Sequence, residues 1–214
     1  VLAALGVNLD APVEKIEQAI SEAGIGFMLA PRHHASFKYV GPVRMELGIR
    51  TMFNILGPLC NPAGVSHYLL GVFSRDWVKP MAQVLARLGC KKAWVVHGAD
   101  GLDELSTTGE NIICEVDGSE VREFSLSPDT AGIARASLDE LKGGDADYNA
   151  GRLQALLSGQ QDAYRDIVLF DAAAALLISG KVGELAEGVT VAAEAIDSGA
   201  AQAALDGLVA ISNS

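Results

Sequence analysis

Apolar residues recur every three or four positions along some stretches of the chain and gather into short unbroken runs along others. That pattern predicts helices alternating with buried strands. Val13, Ile16 and Ile20 keep helical spacing. Asp10 can cap that helix, Pro12 suits its first turn, and Gly24 ends it. Residues 25–30 read as a short strand-like run closed by Pro31. Residues 42–56 read as a helix, with Val43, Leu47 and Phe53 apolar and Arg44, Glu46 and Arg50 between them. Gly57-Pro58 and Asn61-Pro62-Ala63-Gly64 read as loop punctuation.

Further along, 68–73 reads as a strand, 77–88 as a helix and 93–97 as a strand. Residues 111–116 and 121–124, separated by Asp117-Gly118-Ser119-Glu120, predict a hairpin. Residues 138–144 read as a turn region. Helices are predicted over 149–158, 166–179, 184–198 and 200–210. The small side chains of Ala172 to Ala175 suit close helix packing, so this helical tail reads as scaffold. Together these elements predict an α/β fold with a mixed, mostly parallel central sheet flanked by helices. No internal repeat or low-complexity linker interrupts it.

Composition narrows the function classes. Half of the 214 residues are hydrophobic and 20% are charged, enough for a sizeable core and against wholesale disorder. The net charge of -11 argues against a general nucleic-acid binder, which needs a basic surface. An anionic substrate stays open, because a local basic group and a bound metal can invert the field of a pocket. Cys60, Cys90 and Cys114 are odd in number and widely spaced, which disfavours zinc and a disulfide framework and fits reduced thiols in the cytoplasm. No run is long and apolar enough for a membrane span, and no signal peptide is evident.

The candidate chemistry is concentrated after Ala93-Trp94-Val95-Val96, a run that reads as a buried strand. His97-Gly98-Ala99-Asp100-Gly101-Leu102-Asp103-Glu104 follows it. Open α/β sheets bind ligands just beyond strand ends. Asp103 and Glu104 put two carboxylates side by side there, and a hard cation relieves their repulsion. Mg²⁺ is commonly held by one or two carboxylates plus phosphate oxygens. An acidic, solvated turn explains the same residues.

Arg44 follows Gly41-Pro42 near a predicted helix start and offers a planar two-pronged donor for a carboxylate. A surface pairing with Glu46 or Glu22 explains it as well. His33 and His34 are adjacent, so they do not share a face for one metal, but either can contact a small aromatic ligand. His97 reads as structural or as shaping the acidic loop. Gly57 allows backbone to approach a ligand closely. The chain has no GxGxxG, P-loop lysine, nucleophile elbow, HExxH or CxxC.

Several words, taken in order, resemble the anthranilate phosphoribosyltransferase family of tryptophan biosynthesis. They are Pro31-Arg32-His33-His34, the run from Val43 to Leu59, Asn61-Pro62-Ala63, and the run from Val96 to Glu104. Gly143-Gly144-Asp145-Ala146 and Ala195-Ile196-Asp197-Ser198-Gly199 are similar to its C-terminal part. The resemblance covers essentially the whole chain. It implies the nucleoside phosphorylase/phosphoribosyltransferase catalytic domain, with residues 42–56 a remnant of an incomplete small helical domain. It also implies transfer of the phosphoribosyl group of phosphoribosyl pyrophosphate to the amino group of anthranilate, with Mg²⁺ bound.

Carried over, Arg44 matches the arginine that holds the anthranilate carboxylate. His34 matches a histidine lining the anthranilate path, and Gly57 and Pro58 match backbone and wall positions there. Asp103 and Glu104 match the acidic pair that binds Mg²⁺. The family's GTGGD, NVST and KHGNR motifs, which cradle the donor phosphates, do not occur in these 214 residues. The resemblance is therefore to the C-terminal two-thirds of such an enzyme, and these residues alone are expected to be inactive. A homodimer is expected of the full-length parent. Ala35, Cys60 and Asp171 stand where the family has Pro, Thr and Asn. Rival readings are a pyrimidine nucleoside phosphorylase-like enzyme and a noncatalytic nucleic-acid-binding relative.

Overall fold

The computed structural model describes residues 1–29, Glu46, Gly48 and 52–214. Its helices are α1 (Val13–Glu22), α2 (Phe53–Leu59), α3 (Val78–Arg87), α4 (Leu138–Leu141), α5 (Ala146–Leu157), α6 (Ala163–Ile178), α7 (Leu185–Asp197) and α8 (Ala200–Ser212). Its strands are β1 (His67–Gly71), β2 (Lys92–Gly98), β3 (Asn111–Asp117) and β4 (Glu120–Leu126). The chain divides into two compact units. One comprises 1–57, 143–160 and 195–214, and the other 58–142 and 161–194.

The second unit holds the sheet, in the order β1-β2-β3-β4. β1 and β2 run parallel because α3 makes the crossover that parallel strands need. β2 and β3 are antiparallel, and so are β3 and β4. The mixed α/β class is as expected, but the sheet is not mostly parallel: among the described residues one pairing is parallel and two are antiparallel. Residues 99–110 join β2 to β3 with no helix, so the chain can only turn back on itself. The predicted hairpin is present as β3 and β4, in the register Ile113 opposite Phe124 and Glu115 opposite Arg122.

β2 is an unbroken apolar run because both of its faces are covered. Trp94 and Val96 join Ile113 and Leu126 in one core, against Phe170, Ala174 and Ile178 of α6. Ala93 and Val95 face the other way, where α3 buries Val78, Met81, Ala82 and Leu85. β4 lies at the edge and is mostly exposed, with Val121 and Phe124 half-buried and Leu126 buried. The alanine stretch of α6 does allow close packing: a Cβ at Gly188 of α7 would lie 2.9 Å from the Ala173 Cα.

In the first unit α1 packs against α8, around Val7, Ala19 and Leu208. Asn8 ties the chain entrance to the α8 end, its N–H donating to Ser212 Oγ and its side-chain amide to Ser212 O. The α1 cap is Pro12 rather than Asp10, because the Pro12 carbonyl accepts the first helical N–H groups. Asp10 donates its own N–H to the Asn8 side chain instead. Residues 25–29 form no strand; Phe27 packs into the α1–α8 core.

Two further expectations are corrected. Gly57 and Pro58 lie inside α2 rather than in a loop. Pro58 falls in the last turn and the helix ends one residue later, at Leu59, so its missing N–H affects that final turn alone. Residues 138–144 contain the one-turn helix α4, closed by a capping box between Ser137 and Glu140. Met52, just before α2, is 65% exposed. No helix of the described residues is long and apolar enough to cross a membrane.

Candidate functional site

The acidic loop is built on the end of β2. Gly98 donates its N–H to Leu102 O at 2.9 Å, and Gly101 returns one to Gly98 O at 2.9 Å. Asp100 organises the turn they define. Its Oδ1 accepts the Leu102 N–H at 3.1 Å, and its Oδ2 accepts the hydroxyls of Thr108 at 2.6 Å and of Ser106. Burial opposes the Asp100 charge, but these donors outweigh it and hold the carboxyl below its ordinary range.

The base of the loop is closed by Asn111, the first residue of β3, which is fully buried. Its Oδ1 accepts the Ser106 N–H at 2.7 Å, and its amide nitrogen donates to Ser106 O and Leu126 O. A buried amide with its donors and acceptor satisfied stabilises one loop geometry over others. Next to it Leu105 is fully buried in the sheet–α6 core, so the chain enters the interior directly after Glu104.

Asp103 and Glu104 are thereby left solvent-accessible between Leu102 and Leu105. Partial desolvation, and then the adjacent Asp103 charge, push the Glu104 carboxyl up. Two other contacts fix their backbone. A Cβ on Gly71, at the end of β1, would overlap the Asp103 carbonyl, so only glycine permits the approach. Asp171 of α6 accepts the Leu105 N–H at 3.2 Å. Burial pushes the Asp171 carboxyl up to about 7, the Leu105 N–H acting against this and the Glu104 charge adding to it.

His97 is structural: its Nδ1 lies 2.8 Å from Val72 O and joins the ends of β1 and β2. Thr107, also fully buried, offers its carbonyl to the Ala136 N–H, while its hydroxyl has no hydrogen-bond partner among the described residues.

Of the residues singled out in the sequence, Asp103 and Glu104 therefore share one pinned loop. Gly57 and Pro58 are consecutive residues of α2. Arg44, His33 and His34 lie outside the described residues. Sequence reasoning assigned no role to Asp100, Asn111 or Gly71, and saw Asp171 only as a departure from a pattern. An Asp in a glycine-containing turn followed by Ser106 and Thr108 does carry an Asx-turn signal; the contacts of Gly71 and Asp171 are tertiary and leave no local trace. Among the described residues no group of three or more His, Cys, Asp or Glu is placed to hold a metal. The Asp103–Glu104 pair nonetheless fits Mg²⁺ bound together with a phosphorylated substrate, since that ion takes one or two carboxylates and completes its shell with phosphate and water oxygens.

A parallel crossover feeding a mixed sheet, with an anionic loop beyond a strand end, defines an α/β domain. The chain belongs to the glycosyl transferase family, a/b domain, whose model matches residues 1–202. More particularly, it is 53% identical to the anthranilate phosphoribosyltransferase of a Bradyrhizobium species over 214 residues, covering 100% of this chain and 64% of that protein. The crystal structure of anthranilate phosphoribosyltransferase from Thermus thermophilus superposes with a TM-score of 0.92 at 44% identity, covering 100% of this chain and 63% of that one. The Saccharomyces cerevisiae enzyme in complex with PRPP and Mg gives 0.91 at 27% identity, covering 99% of this chain and 61% of that one. The chain thus spans less than two thirds of the length of these relatives.

Proposed function

We propose that this chain forms the greater part of an anthranilate phosphoribosyltransferase. Such an enzyme joins the amino nitrogen of anthranilate to C1 of phosphoribosyl pyrophosphate and releases pyrophosphate. The observation that carries this reading is identity above one half, along the whole chain, to an enzyme of that name. The loop supports it with two accessible carboxylates on a rigid frame.

In this reading Asp103 and Glu104 hold Mg²⁺, which when bound offsets charge on the pyrophosphate group. Arg44 grips the anthranilate carboxylate with two parallel N–H donors. His34 lines the acceptor path, and Gly57 and Pro58 form its backbone and wall. None of these residues acts as a covalent nucleophile. The amine attacks directly, and rate enhancement comes from holding amine and anomeric carbon in line. The complete protein works as a cytoplasmic homodimer, with no nucleic acid or membrane as partner.

The test is loss of anthranilate fluorescence on adding phosphoribosyl pyrophosphate and Mg²⁺. It is run on this chain alone and, where the chain is part of a longer polypeptide, on that polypeptide. The donor-phosphate motifs GTGGD, NVST and KHGNR are not among these residues. The expected result is a silent chain beside an active longer protein. Phosphorolysis of a pyrimidine nucleoside, with anthranilate untouched, would replace the reading with a nucleoside phosphorylase.

A further inference from the structure

Asp171 lies at the sheet-facing side of α6, between Phe170 and the buried Ala173 and Ala174. A capped start holds that helix in place: the Asp162 side chain accepts the Arg165 N–H at 3.0 Å. From this frame the Asp171 carboxyl reaches a backbone N–H 66 positions away in sequence. That N–H belongs to Leu105, and so to the peptide unit that leaves Glu104.

The location of this one bond matters because of what flanks it. On the far side of Glu104, the Asp103 carbonyl is packed against Gly71. On the near side, the Leu105 side chain is fully buried in the same core as Phe170 and Ala174. Glu104 is therefore the accessible residue between two anchored peptide units. Asp103 and Glu104 both lie at bends of the chain, so where each carboxylate points depends on how the peptide units around it are turned. Both meet one cation only if those units are held in a particular orientation. Packing of Leu105 fixes the position of its unit; only a directional bond fixes its rotation.

We propose that Asp171 is a positioning residue: by accepting the Leu105 N–H it sets the orientation of the Glu104–Leu105 peptide, and with it the aim of the Glu104 carboxylate toward a divalent cation shared with Asp103. The inference rests on the reading of Asp103 and Glu104 as cation ligands. What it requires of residue 171 is an acceptor oxygen at the right reach. Asparagine supplies one in the same shape, alanine supplies none, and leucine fills the space without one.

The experiment measures Mn²⁺ binding by electron paramagnetic resonance in the presence of inorganic pyrophosphate, which supplies the phosphate oxygens, against a protein-free Mn²⁺–pyrophosphate control, with thermal melts alongside. The proteins are wild type, Asp171→Asn, Asp171→Ala, Asp171→Leu and the double variant Asp103→Asn/Glu104→Gln. Wild type is expected to bind and the double variant to lose binding. Asp171→Asn should keep the affinity within about twofold, and Asp171→Ala should weaken it about tenfold, the scale of lost outer-sphere support at metal sites. Asp171→Leu repeats the comparison should the alanine variant fail to fold. Unchanged affinity in the alanine or leucine variant overturns the positioning role. So does an asparagine variant as weak as alanine, because charge rather than the hydrogen bond would then matter. Failure of the reading beneath it looks different: no Mn²⁺ on wild type, or full binding by the double variant.

Discussion

The Asp103 carbonyl occupies the space that a side chain on Gly71 would need. One strand end is thus shaped around the backbone of the acidic loop that follows another. Gly71→Ala forces a methyl group against the Asp103 backbone carbonyl, which no rotamer can relieve. Overpacking of this kind costs about 1–3 kcal/mol. Expected outcomes are a denaturation midpoint lowered accordingly and Mn²⁺ affinity reduced as the loop moves away. A variant with wild-type stability and affinity would show that the loop yields at no cost.

Asp171 makes stability depend on pH with a definite sign. Its carboxyl is raised from an ordinary 3.8 to about 7. Between these values the folded state keeps a proton that the unfolded chain has shed. This contribution is complete below about pH 4 and is lost as pH rises toward about 7. Asp171→Asn cannot ionise. Its stability relative to wild type should grow across that window by about 4 kcal/mol and then level off. Urea titrations of both proteins at pH 4.5, 6 and 8 measure the difference; a pH-independent gap would refute the assignment.

How far the sequence reaches can be judged from individual elements. Helical periodicity located α1, α3 and the four helices from α5 to α8, and two short runs separated by Asp117-Gly118-Ser119-Glu120 located the β3–β4 hairpin. The carboxylate pair was legible because strand, turn and adjacent acids are all local signals. Among the described residues the sheet holds less parallel pairing than the pattern predicts: residues 99–110 have no helical pattern, and a parallel return needs a crossover. Gly57-Pro58 misled for the opposite reason, since a local breaker near a helix end is easily tolerated. The bond from Asp171 to Leu105 and the fit of Gly71 to Asp103 join distant segments, and no local pattern marks either.

Thr107 tests the cost of an unsatisfied hydroxyl. It is fully buried, and its Oγ1 has no hydrogen-bond partner among the described residues. Leaving such a group unmade costs about 1–3 kcal/mol. Thr107→Val keeps the shape and removes the hydroxyl, so the variant should match or exceed wild type in denaturant by about 1 kcal/mol. A clear loss of stability would mean that the hydroxyl is bonded after all.

The α6–α7 contact sets a second packing limit. A Cβ at Gly188 would approach the Ala173 Cα, Cβ and carbonyl oxygen, at 2.9, 2.9 and 3.0 Å. Two of these atoms are backbone, so the helices must separate to admit it. Gly188→Ala gains helix propensity of roughly 1 kcal/mol but meets an overpacking cost of similar or larger size. A net destabilisation is expected in thermal melts. A stabilised variant would show that propensity wins and that the helices can part cheaply.

Arg44 bears on substrate recognition rather than on the fold. In the proposed function its guanidinium meets the anthranilate carboxylate, and a hydrogen bond to a charged group contributes about 1.5–3 kcal/mol. Losing that contribution corresponds to roughly a 10- to 100-fold rise in KM. The complete enzyme carrying Arg44→Ala should show that rise for anthranilate, with the KM for phosphoribosyl pyrophosphate little changed, because the donor is held elsewhere. Asp103→Asn/Glu104→Gln should do the reverse, shifting the Mg²⁺ dependence and sparing the acceptor KM. Steady-state kinetics with each substrate varied in turn separates the two patterns. An unchanged anthranilate KM in Arg44→Ala would remove the arginine from the acceptor site and leave the carboxylate to some other cation.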